Sequence, residues 1–101
     1  MTIDQLLTDG YGLDLSVTMR ALSNADRIAL VTELGRRGES SIIDLAESTS
    51  ITRFAASRHL AILDEAGVVA HRWVGATKLH SLRPGGLDAV EDWVISVQAD
   101  Q

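Results

Sequence analysis

The first half of the chain contains short segments in which apolar residues recur every three or four positions. This spacing places the apolar side chains on one side of a helix. Each segment is preceded by a polar residue of the kind that begins helices, and the last one stops at Gly67, a residue type common at helix ends. The pattern therefore predicts four helices, which begin near Asp14, Ser23, Ser41 and Thr52.

After Gly67 the pattern changes to two runs rich in β-forming residues, Val68–Val74 and Thr77–Leu82. Gly75-Ala76 between them suits a two-residue type II′ turn, which has glycine first. If Val74 pairs with Thr77, the register of the hairpin is set. The predicted cross-strand pairs are then Trp73 with Lys78, Arg72 with Leu79, and His71 with His80.

Pro84 marks the predicted start of a last helix. Proline is favoured at a helix start because an N–H in the first turn has no partner within the helix. The whole pattern predicts a mostly α fold of about five helices with a two-stranded β-hairpin wing. We expect one domain over residues 1–101, in which residues 1–13 form a poorly defined N-terminal extension and residues 84–101 form the last helix. The length of 101 residues is that of a single small domain.

Composition and charge narrow the possible functions. The chain has no cysteine, which excludes disulfides and thiolate metal ligands, and no apolar run long enough to span a membrane. We expect a cytoplasmic protein that makes no membrane contact. The net charge is −5, but it is unevenly distributed: residues 1–51 and 84–101 each carry −4, whereas residues 52–83 carry +3. Such a local positive surface attracts a polyanion even on an acidic protein.

Two predicted helices separated by a short polar turn, between Ile42 and Leu63, form a helix-turn-helix, and the hairpin makes it the winged version. The second helix of this motif enters the DNA major groove. Ala56, Leu60 and Leu63 form its apolar side, so the other side faces DNA. The predicted DNA-binding residues are Arg53, Phe54, Ser57, Arg58 and His59 on this helix, with Arg72 and Lys78 on the wing.

Several of these side chains have a second interpretation. Phe54 contacts a thymine methyl or a sugar, or else packs under the preceding turn. His59 lies at the edge of the core or contacts a phosphate, and metal ligation is the alternative. His71 and His80 are weak candidates for a metal site, but zinc needs further ligands and the sequence shows none nearby, so we predict no metal and no cofactor. A packed histidine pair is the alternative.

The chain resembles ArsR-type winged helix-turn-helix repressors over roughly residues 15–98. The similar segments are Ala21–Arg27, Ser57–Leu60 with Leu63 and Glu65–Val69, and Leu82–Pro84. The resemblance implies a homodimeric repressor that binds double-stranded DNA at a palindromic operator, with the first and last helices at the dimer interface. Both helices carry apolar stripes that need a partner surface. The predicted interface residues are Leu15, Met19, Leu22, Leu87, Val90, Trp93, Val94 and Val97. Trp93 anchors either the interface or its own domain.

The chain departs from the family's metal-sensing patterns. Where many members have a cysteine pair, it has Ile42, Ile43 and Asp44, and its last helix lacks the histidine of a zinc site. The inducer therefore stays unknown. A winged-helix protein-interaction module that has lost DNA binding is the alternative function. An enzyme is not supported, because residues two apart on a helix, such as Ser57 and His59, point away from each other.

Overall fold

The computed structural model describes residues 11–100, so most of the predicted N-terminal extension lies outside the described residues. Within them the chain forms five α-helices and three β-strands. In chain order these are α1 (Tyr11–Leu22), α2 (Ala25–Arg37), β1 (Ser40–Ser41), α3 (Ile42–Thr49), α4 (Arg53–Glu65), β2 (Val69–Val74), β3 (Thr77–Leu82) and α5 (Asp88–Ala99). No helix among these residues is long and apolar enough to cross a membrane.

Side-chain caps set the starts of α2, α3 and α4. Ser41 and Thr52 accept hydrogen bonds from the backbone N–H groups of Asp44 and Ala55, as the sequence predicts. The prediction for α2 was wrong by one residue. Its N-cap is Asn24 rather than Ser23, because the Asn24 backbone is extended and its side-chain oxygen accepts the Arg27 N–H at 3.1 Å.

The outer helices differ from their predicted bounds. The first helix begins at Tyr11, three residues before the predicted start, and it includes Gly12. The last helix begins at Asp88 rather than at Pro84. Gly85 has a φ of 77°, which is incompatible with a right-handed helix, and the intervening residues form a turn instead. At Gly86 an added Cβ would lie 2.8 Å from the Gly67 carbonyl oxygen, so this turn packs tightly against the end of α4.

The chain reverses direction at the end of α4. The Val68 N–H donates to the Leu63 carbonyl at 2.9 Å and the Gly67 N–H donates to the Asp64 carbonyl at 3.0 Å, with Gly67 at a φ of 81°. These two bonds are the Schellman arrangement, in which glycine avoids the Cβ clash of a left-handed residue. The reversal sends β2 back beside α4 and creates a groove between the helix and the wing.

The wing has the predicted register, from Val69 opposite Leu82 to Val74 opposite Thr77. Gly75 has a φ of 60° and Ala76 does not have a positive φ, which excludes a type I′ turn and agrees with type II′. The sheet also has a third strand that the sequence did not predict. Ser40 and Ser41 of β1 pair with His80 and Leu79, so β3 is the central strand. Two polar residues show no alternation from which a strand is predicted.

The core lies where α2, α3, α4 and the start of β2 meet. Its fully buried large side chains come from all four elements: Leu30, Leu34, Leu45, Leu60, Leu63, Val68 and Val69. The predicted apolar side of α4, formed by Ala56, Leu60 and Leu63, is buried. By contrast, α5 has no buried residue and packs chiefly against α1. The core thus fixes α4 through its buried side, whereas α5 lies at the periphery of the domain.

Candidate nucleic-acid interface

Helices α3 and α4 form a helix-turn-helix. The connection is only three residues long, and Ser50 adopts a left-handed conformation in it, with a φ of 60° and a ψ of 24°. Leu45 and Ala46 of α3 are buried in the same cluster as Leu60 of α4. The core therefore holds the two helices in a fixed orientation, and the N-terminal turns of α4 lie at the surface.

The N-terminal half of α4 exposes the side chains that the sequence assigned to DNA. Arg53, Phe54, Ser57 and Arg58 are all exposed. Phe54 is 75% exposed, so it does not pack under the preceding turn. Among the described residues neither arginine forms an ion pair or a side-chain hydrogen bond, and both guanidinium groups are free to bind a ligand. This face carries two cations, a hydroxyl and an aromatic ring.

His59 lies on a different side of α4, and the expectation that it contacts DNA is not supported. Its ring nitrogens face α2: Nδ1 is 3.2 Å from Arg27 Nη1, and Nε2 is 3.6 Å from Asp26 Oδ2. The side chain is only 18% exposed. This position agrees with the interpretation in which His59 lies at the edge of the core. The contacts of His59 with Arg27 and Asp26 connect α4 to the start of α2.

On the wing, Arg72 forms an ion pair that the sequence did not predict. Its Nε and Nη2 donate to the two carboxylate oxygens of Glu39, each at 2.7 Å. These hydrogen bonds hold the pKa of the Glu39 carboxyl below its ordinary value. The partners are 33 residues apart in the chain, and no local spacing reveals such a pair. Lys78, in contrast, has no ion pair with any described residue.

The groove between α4 and the wing contains the other two histidines. His71 Nδ1 lies 2.5 Å from Asp64 Oδ2, and this pair joins the wing to α4. His80, directly opposite His71, is only 4% exposed. Burial lowers the pKa of His80 below its ordinary value, and the neighbouring Lys78 and His71 act in the same direction. In the part of the chain that the structure describes, no three metal-ligating side chains converge.

The predicted interface residues occupy α1 and α5, but they are not equivalent. Leu22 and Leu87 pack against the core of their own domain. Leu15 and Val90 are half-buried. The other four are at least 37% exposed: Met19, Trp93, Val94 and Val97. Exposed Val17 on α1 and Ile95 on α5, which the sequence analysis did not include, add to the apolar surface of these helices.

Comparison with known proteins gives the family. The model of a bacterial regulatory protein, arsR family, matches residues 24–71, which span α2, the helix-turn-helix and the start of the wing. A solved structure described as a possible transcriptional regulator for arsenical resistance is 31% identical over 79% of this chain and 82% of that one, with a TM-score of 0.71. This chain belongs to the arsR family. It therefore has the fold and the DNA-binding helix-turn-helix of a transcription regulator.

Other solved structures resemble this arsR-family regulator. An ArsR-like transcriptional regulator from Rhodococcus sp. RHA1 is 27% identical, covers 90% of this chain and 85% of its own, and has a TM-score of 0.78. A winged helix-turn-helix domain from Mycobacterium bovis, described as homodimeric, is 24% identical over 99% of this chain and 87% of its own, with a TM-score of 0.70. No curated protein matches the chain.

Proposed function

We propose that this arsR-family regulator is a homodimeric repressor that binds a palindromic operator through α4 and the wing. The observation that carries the proposal is the division of α4 into two sides. One side is buried in the core through Ala56, Leu60 and Leu63, and the other exposes Arg53 and Arg58, which have no ion pair with any described residue. A rigid helix with free guanidinium groups near its N-terminus suits the major groove.

Each exposed residue of α4 has a role that fits its chemistry. Arg53 and Arg58 can each form two hydrogen bonds to guanine O6 and N7, a contact that discriminates bases by about 1–3 kcal/mol. Ser57 is short enough to bond a base edge or a phosphate. Phe54, with three quarters of its surface exposed, is placed to contact a thymine methyl or a sugar.

The wing supplies contacts to the phosphate backbone. Lys78 contributes a cation that pairs with no acidic side chain in residues 11–100, whereas Arg72 is held by Glu39. A phosphate must therefore compete with the Glu39 carboxylate for this guanidinium. In this proposal the wing sets affinity and position on the duplex, and α4 sets sequence preference.

Dimerisation is supported by the unburied apolar surface of α1 and α5. Helix α5 carries Trp93, Val94 and Val97 at 37–42% exposure and has no buried residue. A stripe of this kind on a helix needs a second surface to cover it. The homodimeric description of the Mycobacterium bovis relative agrees with a second copy as that surface. A two-fold dimer would place the two α4 helices roughly 34 Å apart, one turn of DNA.

The sensor of this proposed repressor does not use thiolates, because the chain has no cysteine. Ile43 and Asp44, at positions where the sequence departs from the family's cysteine pair, are exposed at the start of α3. We expect cadmium, lead or arsenite to leave DNA binding unchanged. This expectation is checked by measuring operator affinity with and without each ion.

The experiment that tests the proposal is selection of bound DNA from a random pool, followed by affinity measurements on the selected site. Arg58→Ala should weaken binding and relax the preference at particular base pairs. Arg83→Ala is the matched control, since Arg83 is exposed at the far end of β3 from the wing tip. It removes the same charge and should leave base preference unchanged.

Salt dependence separates the proposal from its alternative. A DNA-binding protein loses affinity steeply as salt rises, because each phosphate contact releases a counterion. If no pool sequence forms a salt-dependent complex, the chain is instead a winged-helix module that binds another protein. If Arg58→Ala selects the same site with the same affinity as the unmodified chain, the assigned face of α4 is wrong.

A further inference from the structure

A pocket of about 430 Å³ lies between α4 and the wing, next to the proposed DNA-contacting surface. This volume falls in the range of pockets that bind small molecules. Its wall includes side chains from α3, α4, β2 and β3. The lining residues are Ile42, Ser57, Leu60, Ala61, Asp64, Glu65, His71, Lys78 and His80.

The decisive side chain in this pocket is His80. Three polar residues are buried in the described part of the chain, and two of them have partners: Thr18 Oγ1 donates to the Asp14 carbonyl, and Ser40 Oγ donates to the Gly38 carbonyl. His80 is 4% exposed, yet neither ring nitrogen has a hydrogen-bond partner among the described residues. Buried polar atoms without a partner are uncommon in folded proteins, so this imidazole calls for an explanation.

The charges around His80 define what the pocket can accept. His71 Nδ1 and Asp64 Oδ2 lie 2.5 Å apart, and this contact occupies one polar atom of each side chain. Glu65 is exposed at the edge. Lys78 is the lining cation without an ion pair among the described residues. It is two residues from His80 on β3, and alternate residues of a strand point to the same face.

We infer that the pocket binds a small organic carboxylate. The carboxylate oxygens accept hydrogen bonds from the Lys78 ammonium and, once the His80 ring turns to bring its buried N–H to the pocket surface, from that imidazole, which then gains its missing partner. Burial keeps His80 neutral at neutral pH, and a neutral imidazole retains one N–H donor for this bond. The apolar body of the ligand lies against Ile42, Leu60 and Ala61.

Binding at this position links the ligand to DNA. Ser57 and Lys78 line the pocket and also belong to the proposed DNA-contacting surface. A ligand carboxylate and a DNA phosphate compete for the same Lys78 ammonium, so the ligand weakens DNA binding. This coupling rests on the proposed function, whereas the pocket itself does not.

Matched pairs of an acid and its primary amide test the site directly. The probes are benzoate with benzamide and hexanoate with hexanamide, titrated into the full chain without an affinity tag and without DNA. The chain has only three histidines, and their imidazole signals can be followed separately by NMR. We expect at least one acid to shift the His80 signal saturably, and its amide to bind at least about tenfold more weakly because the charge-assisted bonds are lost.

Two substitutions in the pocket and one outside it test whether the acid binds there. His80→Leu and Lys78→Gln should each weaken binding of the acid by about tenfold or more. His59→Leu is the matched control, because it removes a partly buried imidazole outside the pocket and should leave acid binding unchanged. Lys78→Gln keeps the test informative if His80→Leu does not fold.

Three results would overturn the inference: no saturable shift with either acid, equal affinity for acid and amide, or unchanged binding in both pocket variants. Saturable shifts of His71 and His80 with zinc ions instead of the acids would make this a metal site and would also refute it. In a second measurement, the acid should reduce affinity for the selected DNA in the unmodified chain and not in His80→Leu. If no DNA is bound at all, the proposed function fails, while the NMR titration still decides the site.

Discussion

Replacing His80 with leucine should stabilise the ligand-free protein, although it removes a residue from the centre of the sheet. His80 is the middle residue of a row that crosses all three strands, between Ser40 and His71. Most substitutions of buried residues destabilise a protein. Here the buried ring makes no hydrogen bond in the described structure, so leucine loses none and removes two buried polar nitrogens that have no partner.

The magnitude follows from the cost of burying a polar group without a partner, which is about 1–3 kcal/mol. For a domain of this size, each kcal/mol corresponds to a rise in Tm of roughly 4–8 °C. The effect also depends on pH. Because burial lowers the pKa of His80 below 6.5, the unfolded chain takes up this proton at a higher pH than the folded chain does.

The free energy of unfolding of the unmodified protein is therefore highest above about pH 6.5, as far as His80 affects it. It falls as the pH drops from there through the folded-state pKa of His80. The loss is at most about 1.4 kcal/mol per pH unit, and His80→Leu abolishes it. The advantage of the variant should grow on acidification. Urea unfolding near pH 8 and near pH 5, at one protein concentration to hold any dimerisation constant, measures both effects.

His59→Leu provides the control, because it makes the same substitution at an imidazole that has partners. His59 faces Arg27 and Asp26, so leucine there leaves the Arg27 guanidinium without one of its contacts and should not stabilise the protein. The reasoning is refuted if His80→Leu lowers the free energy of unfolding near pH 8, or if its advantage does not increase near pH 5.

Three further predictions concern DNA binding, assembly and the core. Glu39→Gln frees Arg72 from its bidentate partner, so it should tighten DNA binding and steepen the salt dependence by about one counterion; equal slopes in a salt titration would contradict this. Val94→Asp places a charge in the proposed interface and should give monomers by sedimentation, whereas Ser96→Asp, at an exposed position on the opposite side of α5, should stay dimeric; a dimeric Val94→Asp would show that the interface lies elsewhere. Leu60→Ala, at 1% exposure, should cost about 2–5 kcal/mol in urea unfolding.

Local features of the sequence predicted most of the elements. Caps at Ser41 and Thr52, the apolar stripe of α4 and the Gly75-Ala76 turn each depend on residues a few positions apart, and the structure has all of them. The exposed side of α4 follows from the same periodicity, because a helix that buries one stripe must expose the opposite one. The errors at Ser23 and Pro84 are also local, and each arose where a neighbouring residue supplied a better cap or a positive φ.

The sequence by itself therefore determined the helix-turn-helix, the register of the wing and the exposed face of α4 apart from His59. Only the tertiary structure decided which distant residues pair with the side chains of the wing. Glu39 meets Arg72, Asp64 meets His71, and two serines extend the sheet beside His80, although none of these pairings has a local signal. The physical reason is that helix and turn preferences act over a few residues, whereas burial and ion pairing depend on which distant segments the folded core brings together.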